Sequence, residues 1–160
     1  MSTRLVKSAL VLALSALVTT LAVGEASARV KVGVLTCNIA PGVGLIIGSS
    51  KGVSCDFSPT GSRSERYTGS IDKLGLDVGV TGGGVIEWLV FAAHSGYSRY
   101  ALAGSYAGAS AEASLVVGLG ANALVGGSDR SFALQPFSVQ GQTGVNLAVG
   151  VTSLVLNAAR

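Results

Sequence analysis

The sequence predicts an all-β domain, an antiparallel sandwich or a small barrel of short, glycine-rich strands. Three observations lead there. Apolar residues recur at every second position or in short runs, the period of a strand that buries one face. Glycine, 23 residues of the 160, interrupts almost every ten-residue window after Arg29 and leaves no long amphipathic helix. Turn signals follow one another at roughly ten-residue spacing, as in antiparallel sandwiches and barrels.

The first element lies outside this domain. "MSTRLVK" carries Arg4 and Lys7, an uncharged apolar stretch runs from Ser8 to Val23, and "EASA" offers small residues at Ala26 and Ala28. A charged start, an apolar middle and an A-x-A site make an export signal at residues 1–28, cut between Ala28 and Arg29. The alternative, a retained transmembrane anchor, needs about 20 apolar residues, more than this stretch supplies. Removing residues 1–28 lowers the formal charge from +3 to about +2 and leaves a single β domain at residues 29–160. Its cations are scattered, so no basic face is offered to nucleic acid. The one charged stretch, "GSRSER", reads as a solvated loop.

The mature chain then unfolds as strands and turns. "VKVGVLTC" alternates Val30, Val32 and Val34 before Cys37, and "GVSCDF" carries Cys55 into the turn "SPTGS". In an oxidising compartment Cys37 and Cys55 are expected to form a disulfide, worth about 3 kcal/mol for a loop of about 18 residues in the chain-entropy account. "RYTGSIDKLGLDVGV" and "GVIEWLVFAA" supply the next extended stretches. Between Tyr97 and Gly127 small residues occupy both parities, which reads as strand rather than helix because Gly104 and Gly108 disfavour the latter. "GGSDR" is a turn. "SFALQPFSV" is a strand whose Pro136 belongs at an edge or bulge, and Val145, Leu147, Val149 and Val151 share one face of a closing strand. An outer-membrane barrel would also be exported and alternating, but its aromatic girdles are missing here, which favours a soluble domain.

The chemistry-bearing residues are few. The triplet Gly82, Gly83 and Gly84 precedes a β-prone strand and is followed by no Lys-Ser or Lys-Thr, so it reads as a tight bend or bulge rather than a phosphate loop. His94, the single histidine, sits in a glycine- and serine-rich loop, and no G-x-S-x-G elbow supplies a serine for it. Asp72 and Asp77 fall on opposite faces of a strand. No metal set and no cofactor motif is present in the sequence. Glu87 lies within the apolar run "VIEWLVF", where it is either a partly buried carboxylate paired with Arg130 or Lys73, or an ordinary edge residue.

The stretches "KVGVLTCNIAPGVGLIIGSSKGVSCDF", "ERYTGSIDKLGLDVGVTGGGVIEWLVFA", "LAGSYAGASAEASLVVGLGANALVGGS" and "ALQPFSVQGQTGVNLAVGV" together resemble an uncharacterised proteobacterial family, domain of unknown function 992. That resemblance implies a small exported protein and carries no catalytic residue. "GGGVIEWLVF", "GASAEASLVVGLGANALVGG" and "VQGQTGVNLAVGV" are more loosely similar to the SYLF lipid-binding domain. Where that domain tends to carry serine and lysine before a glycine, Gln142 and Thr143 stand before Gly144 here. The leading expectation is therefore a non-enzymatic β-domain of the periplasm or exterior, with a structural or binding role and a lipid or envelope component as partner. A SYLF-type lipid-binding module is the alternative, and a hydrolase using His94 comes third.

Overall fold

The computed structural model describes residues 29–44, 49–73, 79–81, 83–108, 122–141 and 151–160. The export signal, Asp77, Gly82, Gln142, Thr143 and residues 144–150 of the expected closing strand lie outside these residues. Ten strands follow in chain order: β1 (Val30–Ile39), β2 (Gly42–Gly44), β3 (Ser49–Pro59), β4 (Glu65–Lys73), β5 (Gly79–Thr81), β6 (Gly84–Ala92), β7 (Gly104–Gly108), β8 (Leu124–Gly126), β9 (Phe132–Gly141) and β10 (Val151–Ala158). Eight of them close into an antiparallel barrel in the order β1-β3-β4-β10-β7-β8-β9-β6, and β2 pairs with β5 in a separate ribbon. Of the two architectures expected, the barrel is the one adopted.

Alternation decides what faces inward. Along β6, Ile86, Trp88, Val90 and Ala92 are buried while Val85, Glu87, Leu89 and Phe91 are half-buried on the outside. The interior is filled by Trp88, Tyr67, Tyr106, Phe57, Phe132 and a set of leucines and isoleucines, as an eight-stranded barrel of this width requires. Each such side chain contributes about 1.5–3 kcal/mol by leaving water. The outer faces of β3 and β4 instead carry Ser54, Asp56, Ser58, Arg66 and Thr68, all exposed. A lipid-facing wall would reverse that arrangement. Among the described residues no helix is long and apolar enough to cross a membrane.

Three local features depart from simple alternation. A register shift between Lys31 and Gly33 lets Val32 and Leu35 both face the core and turns Val34 outward, so the regular Val30-Val32-Val34 face expected from sequence is broken by a bulge. A second shift lies opposite Glu87 and Trp88, which register with Ser138 and Pro136. Pro136 thus sits at a bulge, the one place in a closed barrel where its missing N–H is tolerated. Third, Gly83 runs beside β1, where a Cβ would meet the Ile39 carbonyl oxygen at 2.7 Å. A side chain at Gly83 would collide with that backbone oxygen, which accounts for one glycine of the triplet.

Cys37 and Cys55 are directly opposed on β1 and β3 and form the expected disulfide, with both residues buried in the core. The crosslink fixes the register of the two strands, because a slip by one residue would put the two side chains on opposite faces of the sheet. Replacing both with alanine is expected to cost about 3 kcal/mol and to lower the melting temperature by roughly 10 °C in a chain of this size, measured by calorimetry under non-reducing conditions.

Candidate functional site

One end of the barrel combines open clefts with a buried carboxylate. The strand ends at Pro59, Glu65, Ala92, Gly104, Gly126 and Phe132 bring three connections together, residues 60–64, 93–103 and 127–131. The longest folds back over the mouth. Its turns are fixed by Ala101 N–H donating to the Ser98 carbonyl (3.2 Å), Ala103 N–H to Tyr100 (3.1 Å) and Ser128 N–H to Ala101 (3.1 Å). Leu102 enters the core and is fully buried, and its carbonyl accepts a 2.8 Å bond from the Tyr106 hydroxyl. The sequence reading extended strand through this segment. Instead Tyr100 adopts φ 61°, a left-handed conformation that ends any strand and that a bulky residue takes only when its surroundings hold it there.

What holds it is Glu65. Its Oε2 accepts a 3.0 Å hydrogen bond from the Tyr100 backbone N–H and a 2.5 Å bond from the Tyr67 hydroxyl. Glu65 is 6 % exposed, so the stretch read from sequence as a solvated loop contains the buried carboxylate of the mouth. Arg66, its neighbour, does behave as a surface residue and meets Asp56 at 3.3 Å, an exposed pair of little energetic weight. The parity of β4 explains the contrast. Glu65, Tyr67 and Ile71 face inward, and Arg66 and Thr68 face out.

Aromatic rings surround this carboxylate. Tyr67 and Tyr100 meet edge to face at 6.0 Å, Tyr97 and Phe132 at 5.5 Å, and Phe57 lies 6.5 Å from Tyr97. Arg99 stands over the Tyr100 ring, 5.1 Å from its centroid, within cation–π range. Burial, and after it the hydrogen bond to Glu65 and that residue's charge, raises the Tyr67 hydroxyl well above its ordinary value. Tyr97 is raised for the same two reasons, burial first and then the Glu65 charge, and Tyr106 by burial.

Two open clefts flank the loop and share Tyr97, Ser98 and Arg99 as walls. One, of about 340 Å³, runs past Thr60, Ser62, Arg63, Glu65 and Ser95. The other, of about 310 Å³, runs past His94, Tyr100, Ser128, Asp129 and Phe132. Asp129 and Arg130 both have φ 53°, so three non-glycine residues in left-handed conformations lie at or beside these clefts. Such outliers concentrate where a site must be shaped.

The residues singled out from sequence fall elsewhere in part. Glu87 is half-buried on the outer face of β6, registered with Thr36 and Ser138. Arg130 is exposed in the 3-10 turn Ser128–Arg130 at the mouth. The structure does not bring them together, because the parity of β6 turns Glu87 away from the core. His94 is exposed and lines the second cleft, without a hydrogen bond to any described residue. A catalytic base needs a nucleophile in reach and a group to orient it. Asp72 accepts a 2.6 Å bond from the Ser153 hydroxyl across β4 and β10, and hydrogen bonds from Ser153 and Ser50 hold its carboxyl below the ordinary value. No group of three or more metal-ligating side chains occurs among the described residues. Glu65 and Tyr67 were missed. The available signal was the two-residue spacing of a carboxylate and a tyrosine at the start of a strand.

Removing the Tyr67 hydroxyl (Tyr67→Phe) takes a donor from a buried carboxylate and is expected to cost about 1.5–3 kcal/mol in denaturant unfolding. Glu87→Ala is expected to stay within about 0.5 kcal/mol of the parent protein. Alkaline unfolding offers a second check. Tyr67 and Tyr106 ionise higher in the folded than in the unfolded chain, so their contribution is complete below the ordinary tyrosine value of 10.0. It is lost as pH rises beyond that. Stability should therefore fall above about pH 10, and less steeply in Tyr67→Phe.

Neither the curated proteins nor the solved structures contain a match to this chain. A family described as protein of unknown function, DUF992, matches residues 16–157, a span that takes in the barrel strands except the last residue of β10. The resemblance seen in the sequence is thereby confirmed, and the chain belongs to the DUF992 family.

Proposed function

We propose that this protein is an exported, non-enzymatic binding barrel of the periplasm or cell exterior, and that it receives its ligand at the mouth closed by residues 93–103. The observation that carries this reading is a division of labour in the fold. The barrel interior is packed with side chains, whereas among the described residues two open clefts, a buried carboxylate and three left-handed residues are gathered at one end. Binding sites on rigid barrels sit in their mouths. A disulfide in the core supports a working place outside the reducing cytoplasm, as does the export pattern of residues 1–28.

Fractionation followed by N-terminal sequencing is expected to find the chain outside the cytoplasm and beginning at Arg29. Titrating the labelled protein with a low-molecular-weight extract of the cell envelope should shift amide resonances of residues 60–65, 94–101 and 128–132. Shifts confined to the outer faces of β3 and β4, or no shifts, would overturn the mouth as the binding end. For the lipid alternative, sedimentation with anionic and with neutral vesicles is expected to leave the protein in the supernatant.

A further inference from the structure

The larger cleft at the mouth has charges of both signs that no ion pair among the described residues matches. Glu65 is 6 % exposed, and both hydrogen bonds to its carboxylate, from Tyr67 and from the Tyr100 N–H, reach Oε2. These donors are neutral. Among the described residues no lysine, arginine or histidine comes within ion-pair distance of it. A buried carboxylate is costly unless a cation accompanies it, and Glu65 is a wall of the cleft, so a cation can approach it from outside. On the rim, Arg63 and Arg99 line the same cleft and are exposed. Neither pairs with a carboxylate among the described residues. Thr60, Ser62, Ser95 and Ser98 supply hydroxyls between them.

We propose that this cleft binds a small zwitterion, an α-amino acid or the corresponding unit of a larger molecule, with its ammonium on Glu65 and its carboxylate on Arg63 and Arg99. The assignment rests on the mouth being the binding end. It names the chemistry that end selects. The ammonium provides the counter-charge that Glu65 lacks, beside the Tyr97 ring, whose face attracts a cation. The guanidinium forks donate paired hydrogen bonds to the carboxylate. Arg99 is already oriented over Tyr100, and that ring is fixed by the same Glu65 contact to the Tyr100 N–H, so the two charged poles of the cleft share one anchor.

The test is calorimetric and amide-resonance titration of the purified protein with alanine, with N-acetylalanine, which lacks the ammonium, and with alaninamide, which lacks the carboxylate. Alanine is expected to bind with shifts at residues 62–65 and 95–100, and each blocked form to bind at least about tenfold more weakly. Arg63→Ala with Arg99→Ala, both surface changes, should weaken alanine by about tenfold or more while leaving alaninamide unaffected. Glu65→Gln should weaken alanine and leave N-acetylalanine unaffected. Because Glu65→Gln also touches the mouth's hydrogen bonds, its melting curve is recorded, and the arginine pair decides the matter if that variant unfolds. Equal binding of the blocked forms, or no alanine binding by the intact protein, would overturn the assignment. If alanine fails while the envelope extract still shifts the mouth, the zwitterion falls and the binding end stands. If the extract fails as well, both fall.

Discussion

The pairing of β1 with β6 is the constraint on which the rest of this structure depends. β1 is already hydrogen-bonded to β3 along its other edge, and its register with β6 from Val30–Ala92 to Ile39–Gly84 turns an open sheet into a closed one. Closure gives every inward position a fixed volume to fill and leaves no edge strand exposed among the eight. The aromatic core follows from it, as do the bulges at Gly33 and Pro136 that let the strands curve. The crosslink between Cys37 and Cys55 acts on this same strand, so the covalent bond and the closing seam reinforce each other's register.

Closure also explains why the Glu65 carboxylate sits at an end. A packed interior has no room for a solvated group, and a carboxylate survives only where the strand terminates and donors from a connection can reach it. Glu65 occupies that position at the first residue of β4. Its hydrogen bond to the Tyr100 N–H converts a connection that could drift over the opening into one seated by Leu102 in the core. The left-handed backbone at Tyr100 is the local cost of that seating. The tether and the ligand-facing surface are therefore one feature, and changes to either are felt by both.

Much of the fold was legible in the sequence because period two and glycine spacing are local signals. The β-class, the bulge at Pro136, the turn at "GGSDR" and the two-faced burial of "VIEWLVFAA" all follow from residues within a few positions of each other, and the disulfide joins the two cysteines of the sequence, 18 residues apart. The site was not legible to the same degree. Glu87 drew attention because its neighbours are apolar, yet parity alone places it outside. Glu65 looked solvated because Arg63 and Arg66 flank it, and only the length of β3 and the point at which β4 begins set it inward. The departure at residues 97–103 has a similar origin. Alternation of small residues looks the same in a strand and in a loop held by tertiary contacts, and the contacts with Glu65 and Ser128 come from elsewhere in the chain.

The arrangement of the chain's ends carries one more implication. Arg29 is fastened through its guanidinium to the Ser131 carbonyl, and β10 finishes beside β4, where Ala159 N–H donates to the Arg66 carbonyl. Start and finish of the barrel thus emerge on the same rim as the clefts. Anything joined covalently ahead of Arg29 or beyond Arg160 is delivered to the face that ligands must approach. Chain extension and access to the mouth are coupled by connectivity alone.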